Sequence, residues 1–421
     1  MGKPPNDASV ARTVRDDGRR ERVLDEAARL LNEVGVTGDL LDRLAANLGL
    51  TRAALYGYVE DRPDLVFRCY LRACEIMEQR LDSAIAAGGD AFQTLELFVR
   101  SVLDPSLPPI TALSEIGYLR QDDARIILGR AGVVEGKLAK LLAEGARAGL
   151  VRPLDHMVAA RALLSLVYWL KLGPRWLSEE ASLPGERLLA AAGQMVLNGL
   201  ATAPPSPLPP LDITHLTPRM TEAFDRPSLT AARRDAILAT ASRLFNESGL
   251  EATSIDDIAQ AVGTSKRTIL NHFKDKQSLI SATQLRGYAI FRGIAELARI
   301  PGASAAQSMA AGIHASVMAS LHPAIAPLRV FSGLPNLDED QRRAAADASL
   351  KLQGAYEMLF SAGVADGSLR KVDNRVTMLA LAGASAWVSR GGVDLNRAEG
   401  EALAASLTDL LMNGLRVHHR R

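Results

Sequence analysis

The sequence predicts an all-α protein made of two tandem helical units, each opening with a three-helix head that feeds a larger helical domain. Three observations carry this expectation. Residues 22–65 and 234–279 align without a gap at a constant offset of 214. Apolar residues in both segments recur at i, i+4, i+7 and i+8, and no run of strict alternation points to a strand. A proline-rich stretch breaks the helical texture between the two copies.

Length and composition agree. A chain of 421 residues is too long for one hydrophobic core, so at least two domains are expected. With 48% hydrophobic and 23% charged residues the chain is globular rather than disordered. The net charge of +1 excludes a polycation, so any affinity for nucleic acid has to come from local patches.

Residues 1–18 are polar, lack the apolar core of a signal peptide and are expected to form a mobile arm; Asn6 stands where a myristoylation signal needs Ser or Thr. The first head, 19–65, carries the stripe Val23, Ala27, Leu30 and Leu31, and Gly35 stops its first helix. Residues 66–200 form the first larger helical domain. Its cysteines, Cys69 and Cys74, lie five apart on one helix and face different ways, which argues for core residues and against a mutual disulfide. The apolar stretch 162–170 is far too short to span a bilayer, so no membrane partner and a cytoplasmic location are expected.

Residues 201–230 contain Pro204, Pro205, Pro207, Pro209, Pro210, Pro218 and Pro227 and read as an extended linker. The second head, 231–279, repeats the stripe as Ile237, Ala241, Leu244 and Phe245. Ser254 with Asp257 makes a capping pair for its second helix, Gly263 supplies the turn, and Ser265 caps the third helix, whose Ile269 and Phe273 face inward. The second helical domain, 280–417, continues the repeat. Asp373 and Trp387 stand 218 residues after Asp155 and Trp169, and Asn413-Gly414-Leu415 stands 215 after Asn198-Gly199-Leu200.

With Ile269 and Phe273 turned inward, Lys266, Arg267, Thr268, Asn271 and His272 are left to face solvent, donors suited to base edges and phosphates. Lys274 and Lys276 follow as phosphate contacts. The pattern Thr253-Ser254-x-x-x-Ile258-Ala259-x-x-x-Gly263-x-Ser265-x-x-Thr268-x-x-x-His272-Phe273-x-x-Lys276-x-x-Leu279 resembles the TetR family of bacterial transcriptional regulators. The resemblance is strong in the heads and weak in the C-terminal portions. It implies a helix-turn-helix reader, a helical domain that binds a small-molecule effector, and a four-helix dimer interface, which in one chain becomes an intramolecular pseudo-dimer with scope for further oligomerisation. It also implies a phosphate bond from Thr253.

The candidate DNA contacts are therefore Thr51, Arg52, Ala53, Tyr56, Tyr58 and Arg62 in the first head, and Thr253, Thr264, Ser265, Lys266, Arg267, Thr268, Asn271, His272 and Lys276 in the second. The heads differ. Asp39 replaces Thr253, and Gly57 lowers helix stability in the first recognition segment. Residues 19–62 carry seven cations against eight acids, whereas 233–276 carry seven against six, so the second head is expected to hold most of the DNA affinity. Effector candidates are Tyr118, His314, Met318, His322 and Phe331, while Trp169 and Trp387 are assigned to packing between the two halves. No catalytic motif is present, the sequence 132–138 lacks the length and hydroxyl of a P-loop, and His418-His419 reads as a basic tail; no enzyme activity, metal or cofactor is expected. The reading is a ligand-responsive repressor on a double-stranded operator. The alternative is a non-enzymatic sensor or scaffold acting through protein partners with degenerate heads.

Overall fold

Helical periodicity is realised throughout the computed structural model, which describes residues 7–172, 185–217, 226–328, 337–389 and 395–417. The first half contains α1 (Asp7–Val34), α2 (Leu40–Leu48), α3 (Arg52–Leu55), α4 (Arg62–Ala86), α5 (Ala91–Leu103), α6 (Gln121–Arg147), α7 (His156–Leu172) and α8 (Gly185–Asn198). The second contains α9 (Arg226–Ser248), α10 (Ile255–Val262), α11 (Lys266–His272), α12 (Lys276–Leu297), α13 (Ala305–Leu321), α14 (Glu339–Ala365), α15 (Asn374–Ser385) and α16 (Arg397–Asn413). Among the described residues there is no strand, only two isolated bridges. No described helix is long and apolar enough to cross a membrane.

Two boundaries differ from expectation. Helix α1 already begins at Asp7, so residues 7–18 continue the first helix of the head where an arm was expected. Helix α9 begins at Arg226, ahead of the boundary at 231, with Pro227 in its first turn. There a proline lacks only a donor that has no intrahelical partner anyway, so it starts the helix instead of breaking it.

Each head has its own core. Val23, Ala27, Leu30 and Leu31 pack on Leu40, Leu44 and Leu55, and Ile237, Ala241 and Phe245 pack on Ile258, Ala259 and Ile269. A third core runs through both halves, from Met77 and Leu138 to Val376 and Leu411. At its centre α7 lies against α15, and α8 and α16 flank them. The pairing is reciprocal. Leu200 N donates to Leu411 O at 3.1 Å, and Leu415 N donates to Val196 O at 2.9 Å, the same bond moved by 215 residues. Likewise Arg152 N donates to Leu415 O at 2.9 Å and Arg370 N to Leu200 O at 2.8 Å. Gly199 and Gly414 meet at the crossing, both with positive φ (71° and 69°). A Cβ on Gly199 would stand 2.3 Å from Met412 O, so the backbones approach this closely only because no side chain is present. Side chains add Arg152 to Asp409 at 2.6 Å and Arg187 to Asp373 at 2.6 Å.

The linker carries no α-helix between 202 and 217 and lies along the second half. Ile213 is buried beside Ile290 and Ile294, and the Thr202 hydroxyl donates to Gly367 O at 2.8 Å. Cys69 and Cys74 are free and buried, and desolvation pushes both thiols up to about 12.

Candidate nucleic-acid interface

The second head builds its reading surface from three local rules. Ser254 accepts from Asp257 N and Asp257 accepts from Ser254 N, closing the expected capping box on α10. Those bonds from the Ser254 hydroxyl and backbone hold the Asp257 carboxyl below its ordinary value. Gly263 takes the left-handed conformation (φ 74°) that ends α10, and the Ser265 hydroxyl then accepts from Thr268 N to start α11. Ile269 and Phe273 are buried, as their spacing requires, and this turns Lys266, Arg267 and Asn271 outward. Thr264, Thr268 and His272 are half-buried at the edge of that face, beside exposed Ser265 and Lys274.

The first head repeats the design with a shorter reader. Thr51 caps α3 through Ala54 N, but α3 ends at Leu55 and the chain turns through Tyr56 and Gly57. Glycine's conformational freedom favours this early stop, against the seven residues of α11. Thr51, Arg52, Ala53 and Tyr56 are exposed; Tyr58 is half-buried and packs on the head's core. The first cation of each reader is steered by an acid on the preceding helix at matching positions, Arg52 with Asp42 at 3.0 Å and Lys266 with Asp256 at 2.7 Å. These pairs lie in solvent, and such pairs contribute little and are screened by salt, so a phosphate can displace the acid. Arg267 is exposed and makes no ion pair among the described residues, and its counterpart is Ala53.

Three expected contacts are corrected. Thr253 is buried, and its hydroxyl donates to Gly249 O at 2.8 Å and Leu244 O at 3.2 Å, stapling α9 to α10 instead of reaching for phosphate. Arg62 and Lys276, 214 residues apart, also point inward. Arg62 donates to Thr37 O at 2.6 Å and Lys276 to Glu251 O at 3.1 Å, in both cases the carbonyl 25 residues earlier. Burial pushes the Lys276 ammonium down. These two cations secure the turn between the first two helices of their heads.

Arg62 also joins the heads to each other. It reaches Glu251 of the second head at 3.1 Å and donates to the Tyr118 hydroxyl at 2.6 Å, with its guanidinium 5.4 Å from the Tyr118 ring centre. Tyr118, expected in an effector pocket, therefore belongs to this junction. Nearby, buried Glu115 accepts from Val36 N of the first head at 3.0 Å, and Gly117 lies so close to α9 that a Cβ would stand 2.2 Å from Glu247 O. Sequence reasoning missed Glu115 and Glu251. The one available signal was that Arg62 and Lys276 share a register in the repeat.

Each head is bolted to its domain by a matching arginine. Arg72 on α4 binds Glu21 and Asp25 of α1 at 2.8 and 2.6 Å, and Arg286 on α12 binds Asp235 of α9 at 2.6 Å. Arg286 is buried, so its charge needs this pairing. Beyond the bolt, Gln284, Tyr288 and Phe291 of α12 line a cavity of about 220 Å³. The expected effector residues do not line it: His314 pairs with Glu401 at 3.2 Å, Met318 packs beside the shared core, and His322 accepts from Ala324 N at 3.2 Å. Phe331, like His418 and His419, lies outside the described residues. Trp169, assigned to packing, both packs on Gly383 and forms part of the cavity wall.

Residues 237–283 match the model of the tetR family of bacterial regulatory proteins, and residues 93–200 match a tetracyclin repressor-like C-terminal domain. The chain is 40% identical over 58 residues to the HTH-type transcriptional repressor KstR2 of Mycolicibacterium smegmatis, covering 14% of this chain and 28% of that protein. It is 35% identical over 75 residues to the tetracycline repressor protein class D of Escherichia coli, covering 18% and 33%. The matched segments thus span about a third or less of these relatives. Among solved structures, the TetR family transcriptional regulator PfmR of Thermus thermophilus is 24% identical with a TM-score of 0.36, covering 44% of this chain and 98% of that one.

Proposed function

This chain belongs to the TetR family of bacterial regulatory proteins, and on that premise we propose that it is a transcriptional repressor that grips an operator with both heads of one polypeptide and releases it when a small molecule binds. The observation that carries the reading is the outward face of α11. Lys266, Arg267 and Asn271 stand exposed there while Ile269 and Phe273 anchor the helix from below. A short helix presenting donors and cations in this way suits the major groove and its phosphates.

The units are the readers ending at 65 and 279, which α1 and α9 extend back to residues 7 and 226, the effector and dimerisation domains 66–200 and 280–417, and the connection that runs from 201 up to α9. The two halves act as an intramolecular pseudo-dimer. Reciprocal bonds around Gly199 and Gly414 support this, and further association of chains is compatible with it. The protein works in the cytoplasm, without catalysis or a metal.

Release follows from α12. Its first residue, Lys276, holds the second head, Arg286 bolts it to α9, and Gln284, Tyr288 and Phe291 border the cavity. A molecule that enters the cavity and prefers a shifted α12 moves the second reader relative to the first, and only such a preference between two states changes operator affinity.

Nuclease footprinting of the purified chain on DNA upstream of its own gene tests the reading. Two protected, dissimilar half-sites about one helical turn or a multiple apart are expected. Absence of protection at low salt, with and without cell extract, would turn the reading towards a scaffold that binds protein partners.

A further inference from the structure

Each half has a cavity behind a tryptophan of the other half, and among the described residues the second-half one is much the larger. The second-half cavity, about 220 Å³, lies among α12, α13, α14 and α15 and is closed on one side by Trp169 of α7. Its counterpart in the first half is closed by Trp387, the residue 218 positions later, and holds about 40 Å³. That is less than a fifth of the second-half volume. The matching positions account for the difference. In the first half Arg161 pairs with Glu135 at 3.0 Å and lies 5.5 Å from the Trp387 ring centre, and Tyr168 and Leu164 fill the remaining space. The second half has Leu379, Gln353, Ala386 and Ala382 at those places, so the ion pair and the large side chains are gone.

The wall of the open site defines what it takes. Among the described residues, none that lines it is charged. Burial pushes the Tyr288 and Tyr356 phenols up, so both stay neutral, and their hydroxyls are engaged by Ser349 and Ser316. An ionised ligand would find no counter-charge among these described residues, at a large desolvation cost. Gln284 is 1% exposed, donates weakly to Tyr288 at 3.4 Å, and its Oε1 has no hydrogen-bond partner. A buried acceptor left in this state is costly until a donor reaches it. A dry cavity of about 150 Å³ takes a benzene-sized molecule, so this one takes a ring system with a little more bulk.

Resting on the ligand-responsive reading above, we propose that the chain binds one effector, not two, in the second half alone. The effector is a neutral, mainly apolar molecule of one or two rings whose single N–H or O–H donor is accepted by Gln284, and Trp169 of the other half completes its site.

Titration calorimetry of the full chain with three probes tests this without DNA. Indole is neutral, apolar and has one N–H. Indene has nearly the same shape and no donor. Indole-3-acetate is charged. Indole is expected to bind at one site per chain, indene at least tenfold more weakly, and indole-3-acetate not measurably. Gln284→Leu is expected to erase the preference for indole over indene. Ala386→Tyr, which installs the residue that closes the first-half site, is expected to abolish binding, and Ala382→Leu, the milder filling, to weaken it at least tenfold while the thermal melt is retained. Two sites per chain, no binding of indole, equal binding of indole-3-acetate, or a Gln284→Leu variant that still prefers indole would overturn the proposal. Footprinting with bound indole reads the repressor hypothesis separately: binding without change in the footprint refutes ligand response and leaves the site intact.

Discussion

Arg267→Ala removes the one reader cation that the second head has and the first lacks. Arg267 is exposed and makes no ion pair among the described residues, so its loss disturbs no internal contact and leaves the fold unchanged. What it loses is one phosphate neutralisation. Affinity for duplex DNA falls with salt at a log–log slope of about −0.9 per neutralised phosphate. The variant's slope should therefore be shallower by about 0.9, and over a fourfold rise in salt, from about 50 to about 200 mM, its disadvantage should shrink by about 3.5-fold. Fluorescence anisotropy with a labelled operator and a scrambled duplex of equal length reads both numbers. Because the contact is to the backbone, the loss should be similar on the two DNAs. Ala53→Arg, which installs the same cation in the first head, should steepen the slope. Lys266→Ala should weaken binding more than Arg52→Ala, since α11 is longer than α3 and sits in the more basic head. A slope for Arg267→Ala equal to that of the parent, or a larger loss from Arg52→Ala than from Lys266→Ala, would refute the assignment of affinity to the second head.

Gly414→Ala should lower the melting temperature and loosen the junction of the halves, because its Cβ would meet Gly199 N at 2.5 Å on a backbone with φ 69°. Overpacking of this kind costs about 1–3 kcal/mol, and a melt unchanged within error would argue against the close crossing. Asp257→Asn should destabilise the second head at neutral pH, with a penalty that shrinks as pH falls below the carboxyl's ordinary 3.8. The folded carboxyl lies below its ordinary 3.8, so its contribution is present above that value and disappears as pH falls through the folded one. A pH-independent difference between the proteins would contradict this. Cys69 and Cys74 should resist Ellman's reagent in the native protein and react fully in denaturant, since burial pushes both thiols up to about 12 and the thiolate is the reactive form. Rapid labelling without denaturant would show that α4 opens.

The fold was legible because duplication tests its own pattern. Leu30 and Leu44 recur as Leu244 and Ile258, and a spacing that appears twice in register is difficult to mistake for chance. Caps were equally legible, since Ser254 with Asp257 and the turn at Gly263 are local chemistry. What was not legible was where polar side chains of mixed character go. Thr253 and Lys276 have the residue types of phosphate ligands, and both are consumed by carbonyls of their own head. The choice depends on the path of the turn between α9 and α10, which no spacing rule supplies. The second-half cavity was hidden for a related reason. It is an absence, created where Ala386 and Ala382 replace Tyr168 and Leu164, and a sequence advertises large polar side chains more loudly than missing volume.

The core that runs from Met77 to Leu411 through both halves has a consequence for how such a regulator responds to its own abundance. A two-chain regulator loses its grip on DNA when dilution separates its subunits, so its occupancy falls more steeply than its concentration. If the two halves act as the proposed pseudo-dimer, the partner is delivered with the chain and held by a shared interior, at an effective concentration set by geometry and not by expression. Occupancy of a site read by both heads then follows protein level in simple proportion at low copy number. The two readers are also free to diverge, because a substitution in one is no longer imposed on the other. Asymmetric DNA, which a symmetric pair reads poorly, comes within reach of a single molecule.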